Sequence, residues 1–420
     1  MMVEPHPGRV RAFLRQSPTS SPTTISPHPS GWGFQHGTWH LELISHVFPL
    51  LADPTNYRAC DLDLIALPQR RAYWISLYRT HFPGLLEEAI EVEVHDGKTR
   101  EDATARAAAA RAVFFAYLDS LANLPPLAAS HNQLDILTIG RRRERILRDH
   151  GFADPYRLMK ERENAAALLA LPKLLQELDA MPVATPEQFA HRELVLIQGT
   201  FAGNIFDVGA AETLALFKAG KIDFHKVRAK LKPRPWRIDG FDGWLRRVRS
   251  GKPHEAAVLF VDNCGCDIVL GMIPFARALL QRGTKIILAA NTTPSLNDIT
   301  APELSAMIAQ IATWDFVIGS ALREGNLEVV ASGCGTPLID LSQVSRELVE
   351  RVNAKRVDLV VLEGMGRGVE SNLNATFKCD VMNLALVKDP DVARHIGGEM
   401  YDQVMRFEAF TAASLEPHRR

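Results

Sequence analysis

The sequence lacks most of the signatures that would type a chain of 420 residues at once. No apolar run reaches the roughly 20 residues that a helix needs to span a bilayer, so no membrane role is expected. Lys+Arg (48) nearly balance Asp+Glu (49), for a formal net charge of −1. No basic stripe is interleaved with aromatics, so nucleic acid is not an expected partner. Only five cysteines occur, Cys60, Cys264, Cys266, Cys334 and Cys379. They lack framework spacing, which fits a reducing compartment and a cytoplasmic location. Cys264 and Cys266 have no second close pair to complete a zinc set. Also absent are the P-loop pattern, the G-x-S-x-G elbow and any Cys/His arrangement assignable from spacing. No internal repeat of 20–50 residues is evident.

What is there is the composition of a globular protein, 46% hydrophobic and 23% charged. Residues 1–30 hold Pro18, Pro22, Pro27 and Pro29 among serines and threonines. Such a segment buries too little apolar surface to offset its ordering entropy and reads as a tail. Arg9, Arg11 and Arg15 against the lone acid Glu4 make an organellar transit peptide the lesser reading. Order is expected from about Gly31-Trp32, and His36, His40 and His46 read as core or surface histidines. Residues 31–182 form one expected domain, helical over roughly 45–180, where Ala103–Leu121 and Glu161–Leu178 are rich in strong helix formers. Pro172 is expected to kink or break the second of these. The run Arg141-Arg142-Arg143-Glu144-Arg145, followed by Arg148, reads as a solvated helix face.

The second expected domain is 183–420. Thr185-Pro-Glu-Gln starts a helix. The stretch from Gly199 to Asp207, with Asn204 and Asp207 as its polar pair, reads equally as a turn or an active-site loop. Residues 219–253, charged and proline-bearing, bridge to a sheet. Beyond them, apolar runs at Ala257–Val261, Ile286–Ala290, Phe316–Ile318, Val357–Leu362 and Leu384–Val387 alternate with helical patterns. That alternation is the mark of a parallel sheet crossed by helices, an α/β architecture.

Groups that carry chemistry fall where these runs end. Asp262-Asn263 follow the first run, and the loop after the second closes on Asn297-Asp298. Ligands of an open parallel sheet bind beyond the carboxyl ends of its strands. Two carboxylates and an amide there suit a hard divalent cation. Glu363, Gly364, Met365, Gly366 and Arg367 follow the fourth run; glycines admit an anion to the backbone, and an arginine fork suits phosphate oxygens. Lys388 ends the fifth run. Gly364-Met-Gly366-Arg-Gly368 also raises a dinucleotide turn, but position 369 is Val and the spacing fails.

The combination FVDNCGCDIVLG, NTTPSLNDIT, SALREG, LEGMGRG and LALVKD resembles the metal-dependent damage-control phosphatases. It resembles above all the subgroup with an EGMGR motif that also forms the C-terminal domain of an inactive pantothenate kinase paralogue. FADPY, KEREN and FAGNIFD, between Phe152 and Asp207, extend the resemblance over roughly 150–410. The chain looks like the stand-alone form. The resemblance implies an all-helical N-terminal domain against an α/β domain with a Rossmann-like, mostly parallel sheet. It implies that Asp262, Asn263 and Asp298 hold magnesium, manganese, cobalt or nickel, with Asp262 and Asp298 catalytic. Glu363–Arg367 would face the substrate, Lys388 its phosphate, and Asn204 and Asp207 would lie near the site. The implied substrate is a small phosphomonoester, 4′-phosphopantetheine or its oxidised or damaged forms; damaged sugar phosphates suit other branches. Residue types leave open whether Asp262 attacks phosphorus or water does. They also leave the oligomeric state open. The competing readings are an oxidoreductase or methyltransferase using the glycine turn, and a non-catalytic scaffold.

Overall fold

Caps and strong helix formers set the first half of the chain. The computed structural model describes residues 45–124, 134–205 and 224–411; the expected tail, His36, His40 and Asp207 lie outside them. Helix α1 (Pro68–His95) starts with proline in its first turn. In α2 (Arg100–Ala122) the Thr99 hydroxyl accepts the Asp102 N–H at 3.2 Å. In α3 (Ile136–Asp149) the Asp135 carboxylate accepts the Thr138 N–H at 2.7 Å. Helix α4 (Arg157–Ala180) continues on both sides of Pro172, so of the expected kink or break the break is absent. Among the described residues no single helix is long and apolar enough to cross a membrane.

Helix α5 (Pro186–Ile205) opens on a reciprocal cap, in which Thr185 and Gln188 each accept the other's backbone N–H. It corrects the expected turn at Gly199–Asn204, which is helical. The glycines serve close packing instead of a turn: a Cβ on Gly203 would lie 2.9 Å from the Asp267 Cα. The expected bridge at 219–253 contains a short helix (Phe224–Ala229), strand β1 (Ile238–Asp239) and a second helix (Phe241–Arg249).

Among the described residues the sheet has seven strands. After β1 come β2 (Ala256–Phe260), β3 (Lys285–Ala290), β4 (Leu327–Ala331), β5 (Leu359–Glu363), β6 (Asp380–Leu386) and β7 (Gln403–Glu408). Their spatial order is β1-β7-β6-β5-β2-β3-β4, parallel throughout except that β6 and β7 are antiparallel. The expected strand at Phe316–Ile318 is instead the start of a helix (Phe316–Arg323). The Asp315 carboxylate caps it by accepting the Ile318 N–H at 2.8 Å, and Phe316 is 81% exposed where a central strand would bury it. Strands β1, β4 and β7 were not expected from the sequence.

Strand β2 is central and buried on both faces, which is why it reads as a continuous apolar run. Ala257, Leu259 and Val261 pack towards α4 and α5, whereas Ala256, Val258 and Phe260 face Phe48, Leu341 and Leu348. Each fully buried Val, Leu or Phe contributes roughly 1.5–3 kcal/mol. Helices α1–α3 share a further apolar cluster with Ala385, Val387 and Val404. The chain leaves β2 for β3 on one side and later returns to β5 on the other. The reversal of strand order therefore lies between β2 and β5, where open α/β sheets place their ligand crevice.

Candidate active site at the reversal of strand order

Four neighbouring strands deliver polar side chains to that crevice. Beyond β2 come Asp262 and Asn263, beyond β3 Asn291, at the end of β5 Glu363, and two residues beyond β6 Lys388. Asp298 is tied in by a bridge between Asn263 and Asp298 and by the Ile299 N–H, donated to the Asp262 carbonyl at 3.0 Å. Asp262, Asn263, Asp267, Asn291, Asp298, Glu363 and Arg367 are all buried.

Arg367 sits at the centre. One guanidinium nitrogen donates to Asp262, and the other reaches Asp298 at 2.8 Å and the Asn291 amide oxygen at 3.0 Å. Asn291 in turn donates to Asp298 at 2.8 Å. Burial opposes the charge on Arg367, but Asp298 and Asp262 outweigh it and hold the guanidinium protonated. The two carboxylates named from the sequence as metal ligands thus converge on one positive centre.

On the other flank the Asn263 amide nitrogen donates to Asp262 and to Asp267, each at 2.9 Å. The Asn204 amide nitrogen donates to Asp267 at 2.7 Å and to Glu363 at 3.4 Å. Glu363 also accepts the Asp262 N–H at 2.9 Å. Burial first, then the Asp267 and Asp262 carboxylates, push Glu363 well above the usual carboxylate range. Carboxylate oxygens of Asp262, Asp267 and Glu363 lie within 4.8 Å of one another. Lys388 donates to the Asn204 backbone carbonyl at 3.1 Å.

The structure therefore brings together Asp262, Asn263, Asp298, Glu363, Arg367, Asn204 and Lys388. Of the glycine turn, Gly366 and Arg367 open a π-helical turn (Gly366–Glu370), and Met365 accepts the Lys388 N–H through its sulfur at 3.3 Å. Two residues went unnoticed in the sequence. Asp267 opens the other π-helical turn (Asp267–Met272), and no pattern in the sequence singles it out. Asn291 left a usable signal, since it is the first residue beyond β3. The loop itself is held from α4: Asn164 accepts the Gly265 N–H at 2.7 Å, and buried Lys160 pairs with Asp154 and Glu303 at 2.8 and 2.7 Å.

Gly364 has φ +98°, and a Cβ there would overlap the Asp262 carboxylate. Gly364→Ala is expected to lose about 2–4 kcal/mol of stability and most activity, as checked by thermal denaturation and turnover. Glu370 lies near the site and is half-buried. Burial and Asp389 raise its pKa from 4.5 to about 8, Lys388 opposing and Asp391 adding to the rise. Its folded pKa lies above the unfolded value, so its contribution is intact below about pH 4.5 and is lost as pH rises through about 8. Glu370→Gln is expected to melt above the wild type at about pH 9, by about 1–3 kcal/mol after allowing for its exposure. The two should melt alike near pH 4.

The family model described as the damage-control phosphatase ARMT1-like domain matches residues 78–404. Pantothenate kinase 2 of Arabidopsis thaliana is 40% identical over 402 residues, covering 89% of this chain and 43% of that protein. A damage-control phosphatase of Arabidopsis thaliana is 37% identical over 372 residues, covering 86% of this chain and 96% of that protein. The 4′-phosphopantetheine phosphatase of Mus musculus is 31% identical over 411 residues, covering 86% of this chain and 48% of that protein. The chain thus spans under half the length of the first and third of these relatives. A DUF89 family protein of Pyrococcus horikoshii shares the fold, with a TM-score of 0.52 and 16% identity over 79% of this chain and 96% of that one. The chain belongs to the damage-control phosphatase family.

Proposed function

We propose that this chain is a metal-dependent phosphomonoesterase acting on a small phosphorylated metabolite, with 4′-phosphopantetheine or its oxidised or damaged forms as substrate. The observation that carries the reading is a charge imbalance. Four buried carboxylates (Asp262, Asp267, Asp298 and Glu363) meet two cations, Arg367 and Lys388, within one hydrogen-bonded network. Buried charge of one sign is costly unless it is balanced. A divalent cation suits the deficit, and every carboxylate and amide donor in the set offers oxygen, as hard cations prefer. The Asn204 amide oxygen is buried without a hydrogen-bond partner, one more oxygen for a cation to satisfy.

Asp262, Asn263 and Asp298 would hold the ion, with Asp267 accepting from the Asn263 amide nitrogen and so aiming its oxygen. When bound, such an ion supplies electrophilic assistance to a phosphoryl oxygen. Arg367 offers a guanidinium to the anion, and Lys388 adds a charge at the far rim. Glu363 accepts the Asp262 backbone N–H and the Asn204 amide and so braces both flanks of the site. The name of the mouse relative supports the substrate class.

The test is a phosphatase screen of chelator-stripped protein against 4′-phosphopantetheine, a damaged sugar phosphate and an aryl phosphate. Each is assayed with magnesium, manganese, cobalt and nickel. Turnover that needs the metal and favours 4′-phosphopantetheine is expected; metal-independent turnover, or none, would sink the reading.

A further inference from the structure

The basic run on α3 borders a groove that the phosphatase reading leaves unused. Arg141, Arg145 and Arg148 stand four and three residues apart, so they share one face of the helix. Arg142 lies beside them, its guanidinium 5.7 Å from the centre of the Tyr117 ring. Two of the run's charges are already paired: buried Arg143 with Glu144 at 2.6 Å, and exposed Arg141 with Asp340, which also lines the groove, at 3.0 Å. Among the described residues, Arg142, Arg145 and Arg148 form no ion pair, although all three are exposed.

A run of arginines ordinarily faces bulk water. This one, though exposed, also lines a groove. Across a cavity of about 510 Å³ stand Thr293 and the loop Gly333–Thr336. That volume lies within the roughly 300–1,000 Å³ of small-molecule sites. The loop's last residue and the one after it also touch the carboxylate network: Asn291 donates to the Thr336 carbonyl at 3.4 Å and Arg367 to the Pro337 carbonyl at 3.1 Å. The groove and the carboxylate network therefore share this loop as a common wall. Arginine forks are suited to phosphate oxygens, and a row of them at helical spacing suits two linked phosphates better than one.

We propose that the groove between α3 and the loop 333–336 is a second anion site, which takes the diphosphate group of a small molecule. It goes beyond the phosphatase reading and does not depend on it. Arg145 and Arg148 supply the forks, Arg142 flanks them from the Tyr117 side, and Thr138 and Thr293 offer hydroxyls on the two walls.

The test is calorimetric titration of metal-stripped wild-type protein with inorganic pyrophosphate at low salt, repeated on the double variant Arg145→Ala/Arg148→Ala. Without metal the carboxylate network is negative and repels pyrophosphate, so binding reports the groove. Saturable binding that weakens at least about tenfold in the double variant and with added salt is expected. The variant's circular dichroism and its turnover of an aryl phosphate should stay unchanged. No saturable binding to the wild type, or equal affinity in the variant, overturns the proposal. Failure of the wild type to hydrolyse any ester would sink the phosphatase reading and leave the pyrophosphate result standing.

Discussion

Asp262→Asn is expected to reduce metal-dependent turnover of an aryl phosphate by about a thousandfold or more, a loss of roughly 4 kcal/mol of transition-state stabilisation. Asp262 is where the two flanks of the site meet. Its carboxylate accepts from Arg367 on one side and from Asn263 on the other, and its backbone N–H holds Glu363. The amide keeps the shape that fits against Gly364, so the fold should survive. What it removes is one negative charge and one acceptor. Circular dichroism and thermal melting separate loss of chemistry from loss of structure. Turnover within tenfold of the wild type would show that the carboxylate does no chemistry.

Arg367→Ala acts on stability as well as on turnover. The guanidinium is buried and is shared by Asp262 and Asp298. Breaking a buried pair by removing one partner typically costs about 3–5 kcal/mol, because the other charge stays buried and unpaired. Here two carboxylates are left facing each other. The variant is expected to melt well below the wild type in chelator and to regain part of that loss when manganese is added. Melting like the wild type in chelator would mean that the carboxylates do not need the arginine for balance. Carboxylates so indifferent to a buried cation would not need a metal ion to balance them either.

The legible parts of the fold were those buried on both faces. Strands β2, β3 and β5 were readable within a residue or two because both faces are apolar and each ends at a polar residue or glycine. Strand β4 was not readable, because Glu328 and Val329 within it are only half-buried and break the run. Strand β7 alternates Met405, Arg406 and Phe407 and finds its antiparallel partner only in three dimensions. Phe316–Ile318 misled because three apolar residues carry no period, and the Asp315 cap decided the matter locally.

The candidate site was legible where acids stand at strand ends and hidden where they do not. Asp262, Asn263 and Glu363 lie directly beyond or at the end of a strand. Asp298 closes the loop after β3 and comes to the network through its bridge to Asn263. Asp267 is one turn into a helix-like segment, and only folding brings it against Asn263 and Asn204. Asn204 lies in α5 where the sequence reads a turn or loop, and near the site as the resemblance implies. Its neighbour Gly203 allows α5 to approach the Cys266–Asp267 backbone, which puts the Asn204 amide into the network. The basic run on α3 is exposed, as the solvated-face reading expects; the loop across the groove is about 190 residues away in sequence, beyond any local pattern.

On the proposed function, the carboxylates gathered around Asp262 bind a divalent cation. Calorimetric titration of chelator-stripped protein with manganese tests it most directly. One saturable site in the wild type, lost in Asp262→Asn while circular dichroism is unchanged, is the predicted result. Phosphate release by protein that binds no manganese, magnesium, cobalt or nickel would contradict it.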